Sequence, residues 1–278
     1  MAPITVACAP ASGATFTIGT TPVNCTASDS LARRAQCAFS VTLTAQFLSV
    51  TKFVAFGDSI TKGEIGFFDA FGVPVLDVPN SYPTKLEAML NLEYPGQGIT
   101  VPEQGRGGEF VGDAVRRLPG VLAAEHPPAL LLLDGYNDLL ANCHFPSANT
   151  PICPGAIAEV VKKLRECVHI ARTPAYEVRY VFLSTLTPNG PWLGGVNDRR
   201  IAPDAIAQVN AGIRSMVAAE GAILVDPYPL FIGHEAEYVN TDGLHLRPAG
   251  YQVLADTFFA AIKATIASTP GFNQSTRP

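Results

Sequence analysis

Charge is scarce in this chain. Only 15% of its 278 residues are Asp, Glu, Lys or Arg, and 19 Lys+Arg against 24 Asp+Glu leave a net charge of −5. No basic run exceeds a pair such as Arg33-Arg34 or Lys162-Lys163. The clustered cations that phosphate binding needs are missing, so nucleic acid is excluded as the main partner. Long apolar runs are missing too. The longest, Ala129 to Leu133 and Phe258 to Ile262, are about five residues, too short to span a bilayer. No opening segment pairs a charged start with an apolar core, so no signal peptide is expected within the chain. Cofactor fingerprints are also lacking. Gly105-Arg-Gly-Gly-Glu-Phe fails the G-x-G-x-x-G pattern because Phe110 stands at the third glycine, and there is no Gly-Lys-Ser/Thr. C-x-x-C is absent, and no histidine is spaced for a zinc knuckle. No cofactor and no metal are expected.

What is present is a core. The chain is 47% hydrophobic, which excludes disorder for most of it, and a chain this long buries about 73% of its unfolded surface. Six cysteines stand at 8, 25, 37, 143, 153 and 167. Cys143 and Cys153 bracket a loop with Pro146 and Pro151 and are expected to close it as a disulfide. Cys167 falls in a helical stretch as a buried free thiol, and Cys8, Cys25 and Cys37 supply one pair and one leftover. Disulfides persist in oxidising compartments, so a secreted protein is expected.

Composition changes near residue 50. Residues 1–50 hold eight Thr and three charged residues. Phe39, Val41 and Leu43 alternate with Ser40, Thr42 and Thr44, the period of a strand with one apolar face. Turn signals at Pro10–Gly13, Gly19–Pro22 and Ser28–Ser30 separate the runs, predicting a small β-sandwich-like module. From residue 51 the rhythm becomes strand, loop, helix. Strands are predicted at 53–56, near Ile99, and at 129–133, 178–183 and 223–225. Helices are predicted at about 81–91, 112–124, 156–171, 205–219 and 248–267. Five strands alternating with helices predict a three-layer α/β/α sandwich on a mainly parallel five-stranded sheet, residues 51–278, after a small all-β segment.

In such a sheet, sites form beyond the carboxyl ends of the strands. Four of these ends carry unusual strings: Gly57-Asp58-Ser59-Ile60, Gln104-Gly105-Arg106-Gly107-Gly108, Asp134-Gly135-Tyr136-Asn137-Asp138 and Asp242-Gly243-Leu244-His245. In this order they resemble the GDSL/SGNH hydrolase family over roughly residues 52–266. The family's four blocks map onto Ser59, Gly105, Asn137 and His245, with Asp242 as the acid three residues before the histidine. One position departs: the family often has Asn two residues before its block-two glycine, and this chain has Glu103. The amino-terminal string, from Cys8-Ala-Pro-Ala-Ser-Gly to Cys37-Ala-Phe-Ser-Val-Thr-Leu, resembles the carboxyl-terminal half of a hyalin-repeat module, an immunoglobulin-like fold. Here Leu31-Ala-Arg-Arg replaces that family's Gly-Asn turn, and a whole module's first strands are missing.

The resemblance implies a serine esterase or lipase acting on acyl or aryl esters, small or polymeric. Two alternatives stay open: a carbohydrate O-deacetylase of the same fold, and a binding protein with a vestigial hydrolase domain. The chemistry matches these residue types. A serine hydroxyl needs an adjacent base to become a nucleophile at neutral pH; His245 can take that proton and return it, and Asp242 can orient the ring. Backbone N–H groups of Ser59 and Gly105 and the Asn137 amide would form the oxyanion hole. Each residue also has an ordinary reading: Asn137 as a turn cap, Gly105 as a bend, Asp242 as an Asx-turn residue. Asp58 and Asp138 read as loop scaffolding, and His126, His144, His169 and His234 as surface or packing residues. Phe67, Phe68 and Phe71, expected in a loop, and Trp192 with Leu193 are candidates for an apolar substrate cleft.

Overall fold

A computed structural model describes residues 3–44, 46–146, 148–192 and 198–268. The chain divides into two compact units, Met1–Phe47 with Ala267–Pro278, and Leu48–Ile266.

The first unit contains a three-stranded antiparallel sheet, β1 (Ile4–Ala9), β2 (Gly19–Asp29) and β3 (Arg34–Leu43), in that order. Gly19–Pro22 is not a turn but the start of β2. Pro22 pairs with Ser40 beyond the end of β1, whose last partner on β2 is Asn24, so its missing N–H costs no ladder bond there. The turn into β3 is tied by Asp29, whose Oδ1 accepts the N–H groups of Leu31 (2.9 Å) and Arg33 (3.0 Å). The alternation expected for residues 39–44 puts Phe39 opposite Val23 and Cys37 opposite Cys25 on one face. Cys8 faces Cys25 from the other side and bonds to it, leaving Cys37 free and exposed.

The second unit is built on five parallel strands: β4 (Phe53–Gly57), β7 (Glu103–Gly105), β8 (Ala129–Leu133), β9 (Tyr180–Ser184) and β10 (Ile223–Val225). The sheet order is β10-β9-β8-β4-β7. Every residue of β4 and β8 is buried, as expected for central strands covered on both faces. A hairpin of β5 (Glu64–Phe68) and β6 (Pro74–Leu76) projects after the first strand. The helices are α1 (Ser59–Lys62), α2 (Tyr82–Glu93), α3 (Val111–Glu125), α4 (Tyr136–Asn142), α5 (Cys153–Ala171), α6 (Pro203–Val217), α7 (Tyr228–Phe231), α8 (Glu235–Tyr238) and α9 (Pro248–Ile266). Helices α3, α5 and α6 pack side by side in one layer, and α2 packs on α9 in another, where the Tyr82 ring stacks on Phe258 at 5.1 Å. The chain enters at β4, adds β7 on one side, then crosses to β8 on the other. That reversal falls at the carboxyl ends of β4, β7 and β8, where sheets of this kind bind their ligands.

The second strand departs from expectation. It is predicted near Ile99, yet the ladder forms at Glu103–Gly105, and Thr100 makes only an isolated bridge to Lys52. Side chains of α2 take the intervening amides: Asn91 Oδ1 accepts the Ile99 N–H (3.0 Å) and Glu87 Oε2 the Val101 N–H (2.7 Å), while Pro102 has none to give. The short helix α4, which carries Asn137, has no counterpart among the predicted elements. Cys143 and Cys153 form a disulfide, and Cys167 is a buried free thiol.

Candidate active site

The β4 strand ends in Gly57, where a Cβ would collide with the Leu133 carbonyl of β8; only glycine allows the strands to stay paired there. Asp58 then starts α1, its Oδ1 accepting the Ile60 N–H at 3.0 Å. This turn presents Ser59, 4% exposed, at the sheet's carboxyl edge. At the far end of the chain, the loop between α8 and α9 folds on itself. Asp242 Oδ1 accepts the N–H groups of Leu244 and His245, each at 3.1 Å, and Asn240 Nδ2 donates to the carbonyls of Ile65 and Leu246, each at 3.0 Å. That asparagine pins the loop to the β5 hairpin.

The two ends meet. His245 Nε2 lies 2.9 Å from Ser59 Oγ, and His245 Nδ1 lies 2.6 Å from Asp242 Oδ2. All three side chains are buried, His245 to 1% exposure. Burial pulls the Asp242 carboxyl upward, but the hydrogen bond and charge of His245 and the two backbone N–H groups outweigh it and hold the carboxyl below its usual range. A carboxylate so anchored fixes the imidazole with Nε2 facing the hydroxyl, the arrangement that can move a proton off a serine.

The sequence pattern of the GDSL-like lipase/acylhydrolase family matches residues 55–253, well over half of the chain and all four strings. The chain belongs to the GDSL-like lipase/acylhydrolase family. No curated protein sequence matches it. Solved structures with the same fold include LAE5, an alpha/beta hydrolase enzyme from the metagenome of Lake Arreo, Spain (23% identity, TM-score 0.55, 78% of this chain and 96% of that one). They also include TesA (22%, 0.56, 77% and 98%) and Axe2, an acetylxylan esterase from Geobacillus stearothermophilus (22%, 0.56, 76% and 94%).

Around Ser59, the other residues singled out by sequence take these places. Gly105 packs against the first turn of α1: a Cβ there would strike the Lys62 nitrogen and the Asp58 carbonyl. Its N–H donates to the Glu103 carboxylate. Asn137 Nδ2 donates one of its hydrogens to the Glu109 carbonyl at 3.0 Å. Asp138 Oδ2 accepts the Val111 N–H at 2.8 Å and so ties α4 to the start of α3. Phe67 and Phe68 stand on β5, a strand and not the expected loop, and Phe71 tips the hairpin at 92% exposure. Gly66, beside Phe67, leans on Asp242, where a Cβ would collide with the carboxylate. Trp192 faces the Arg200 guanidinium at 5.3 Å, which lies 3.9 Å from the Phe145 ring on another side. Leu193 lies outside the described residues. His126, His144, His169 and His234 make no contact with Ser59, Asp242 or His245 among the described bonds. Among the described residues no three His, Cys, Asp or Glu side chains are grouped to hold a metal ion.

Sequence reasoning missed the support beneath the site. Buried Glu109 forms a two-pronged ion pair with Arg117 of α3 (2.8 and 2.5 Å), and Arg117 also donates to the carbonyls of Gln104 (3.1 Å) and Gly57 (3.3 Å) while lying 4.1 Å over the Phe56 ring. One guanidinium thus joins β4, the end of β7 and the loop before α3. Its only sequence signal is a charged pair eight residues apart, which no helix-face rule singles out. Two more carboxyls are buried here. Burial, with the charges of Glu64 and Glu109, pushes Asp58 up to about 7. Burial, with Asp58 and Glu109, pushes Asp134 well above the usual carboxylate range.

Proposed function

We propose that the protein is a serine esterase that hydrolyses carboxylic esters through an acyl-enzyme, with Ser59 as nucleophile, His245 as general base and acid, and Asp242 as the acid that orients it. The observation that carries this reading is the unbroken chain Ser59 Oγ, His245 Nε2, His245 Nδ1, Asp242 Oδ2, with links of 2.9 and 2.6 Å. Ser59 Oγ attacks the ester carbonyl as its proton passes to His245 Nε2. The tetrahedral oxyanion collapses, the C–O bond to the alcohol breaks, and His245 returns the proton to the departing oxygen. Water then repeats the sequence on the acyl-enzyme and frees the acid. The Ser59 N–H, the Gly105 N–H and the second amide hydrogen of Asn137 serve as oxyanion donors. The Asn137–Glu109 bond supports this by fixing that amide's plane. Gly105 becomes available when the Glu103 carboxylate leaves its N–H.

Phe67, Phe68 and Trp192 are proposed to border the acyl or aryl group. A second reading, a carbohydrate O-deacetylase, draws support from aromatics that suit sugar stacking, exposed Phe145 and half-buried Trp192 around Arg200, and from the acetylxylan esterases among similar folds. The two disulfides support export to an oxidising compartment, and the Cys8–Cys25 sheet supports a hyalin-repeat-like accessory role for the amino-terminal unit. A panel of p-nitrophenyl esters from C2 to C16, run beside acetylated xylan, tests the assignment. Turnover of medium or aryl esters upholds the first reading, acetate release from xylan alone favours the second, and no turnover of any ester removes both.

A further inference from the structure

We propose that Glu64 is a positioning residue for this reaction: its buried carboxylate stabilises the protonated imidazole of His245 from the Nε2 side while Asp242 does so from Nδ1. The inference rests on the serine-esterase reading and adds a second acid to it. Glu64 opens β5, directly after the α1 turn that carries Ser59. It is 6% exposed, and its Oε2 lies 4.0 Å from His245 Nε2. That is too long for a hydrogen bond, so Glu64 leaves the Ser59 contact at Nε2 intact. It is short enough, between two buried groups, for its charge to act strongly on the ring. Oε1 is buried with no hydrogen-bond partner, and it sits against Gly107, where a Cβ would collide with it. The glycine-rich loop after β7 therefore closes over a carboxylate that no hydrogen bond of its own explains.

Charged and titratable groups face this pair from every side. Lys62 of α1 approaches Oε1 at 3.8 Å. Asp58, at the head of α1, holds its proton more tightly through burial and through the charges of Glu64 and Glu109. Asp242 comes from the loop before α9. From α9, Tyr251 donates its hydroxyl to the Glu64 backbone carbonyl at 2.7 Å. Across the loop after β7, Glu109 is already neutralised by Arg117. The Lys62 ammonium at 3.8 Å and the imidazole at 4.0 Å stand on either side of the carboxylate, within range of its charge. The sign follows. Glu64 makes His245 the stronger base, and Lys62 partly offsets that effect.

The test needs no natural substrate. The rate at which a fluorophosphonate labels Ser59 in the 278-residue chain is followed from pH 4 to 10, because labelling requires the deprotonated imidazole. Glu64→Gln, nearly isosteric, is expected to move the acid limb of that profile down by about one pH unit and to slow labelling on the plateau. Lys62→Met is expected to move the limb up. Acid limbs unchanged within 0.2 pH unit in both variants, or shifts in the same direction, overturn the proposal even if rates fall, since a purely structural role lowers rates without moving the limb in opposite senses. The wider reading fails separately and visibly: the label then maps to a residue other than Ser59 in the unsubstituted protein. If Glu64→Gln does not fold, Lys62→Met, at a half-exposed side chain, decides the case by the sign of its shift alone.

Discussion

Asp58 does two jobs that pull against each other. As the cap of α1 it accepts the Ile60 N–H and so shapes the serine turn, yet it is fully buried and one of its oxygens has no partner. Burial raises its carboxyl to about 7, so the folded protein binds this proton more tightly than the unfolded chain. The sign is fixed by linkage. The stability tied to this group is fully present below about pH 4 and is lost as pH rises to about 7. The span between the ordinary 3.8 and about 7 corresponds to roughly 4 kcal/mol at most. Asp58→Asn, which keeps the acceptor, is expected to flatten this slope and to raise Tm at pH 8 relative to pH 5. Thermal melts of both proteins at the two pH values check it, and parallel slopes would contradict it. Glu103 gives a second test at this scale. Its carboxylate occupies the Gly105 N–H, so Glu103→Asn is expected to raise kcat by up to ~10-fold with little change in KM, part of the ~10²–10³ that one oxyanion donor contributes. A fall in kcat would count against Gly105 as a donor. Of these residues, the ones in contiguous strings at strand ends were legible in the sequence. Glu64, Glu109, Arg117 and Asn240 were not, because each acts through a partner distant in sequence that only the folded chain brings near.

Among elements, the long apolar-periodic helices and the continuous apolar strands β4 and β8 were readable because pattern and burial coincide. β7 was misplaced because Ile99 and Val101 are buried apolar residues whose amides serve α2 instead of the sheet. The β5–β6 hairpin was hidden because Glu64-Ile-Gly-Phe-Phe mixes a buried acid with two exposed aromatics and so breaks strand alternation. The loop joining α4 to α5 is closed by Cys143–Cys153, ten residues apart. By loop-closure entropy, removing that bond with Cys143→Ala and Cys153→Ala is expected to cost roughly 3 kcal/mol, or about 6–12 °C in Tm. An unchanged melt would contradict it. The two free cysteines should also differ in reactivity. Cys37 is exposed on its strand, whereas burial pushes the Cys167 thiol far up. Iodoacetamide without denaturant is expected to alkylate Cys37 alone, read by peptide mass; modification of Cys167 at a similar rate would contradict its burial.

At the scale of the molecule, the parallel sheet was legible in the strand–helix alternation, whereas its strand order with the reversal at β4 comes from the folded chain. Every proposed catalytic group lies between residues 59 and 245, within the unit Leu48–Ile266. A chain lacking residues 1–47 is therefore expected to keep kcat within about threefold of the full chain, whatever its stability, and a large loss of kcat in a folded truncation would contradict that. The central claim is that the hydroxyl at 59 is the nucleophile made reactive by the imidazole at 245. Mapping the adduct of a fluorophosphonate on the full chain tests it most directly. The expected result is one modified peptide carrying Ser59, with labelling lost by roughly 10⁴-fold or more in His245→Ala. An adduct on any other residue, or equal labelling of Ser59→Ala, would contradict it.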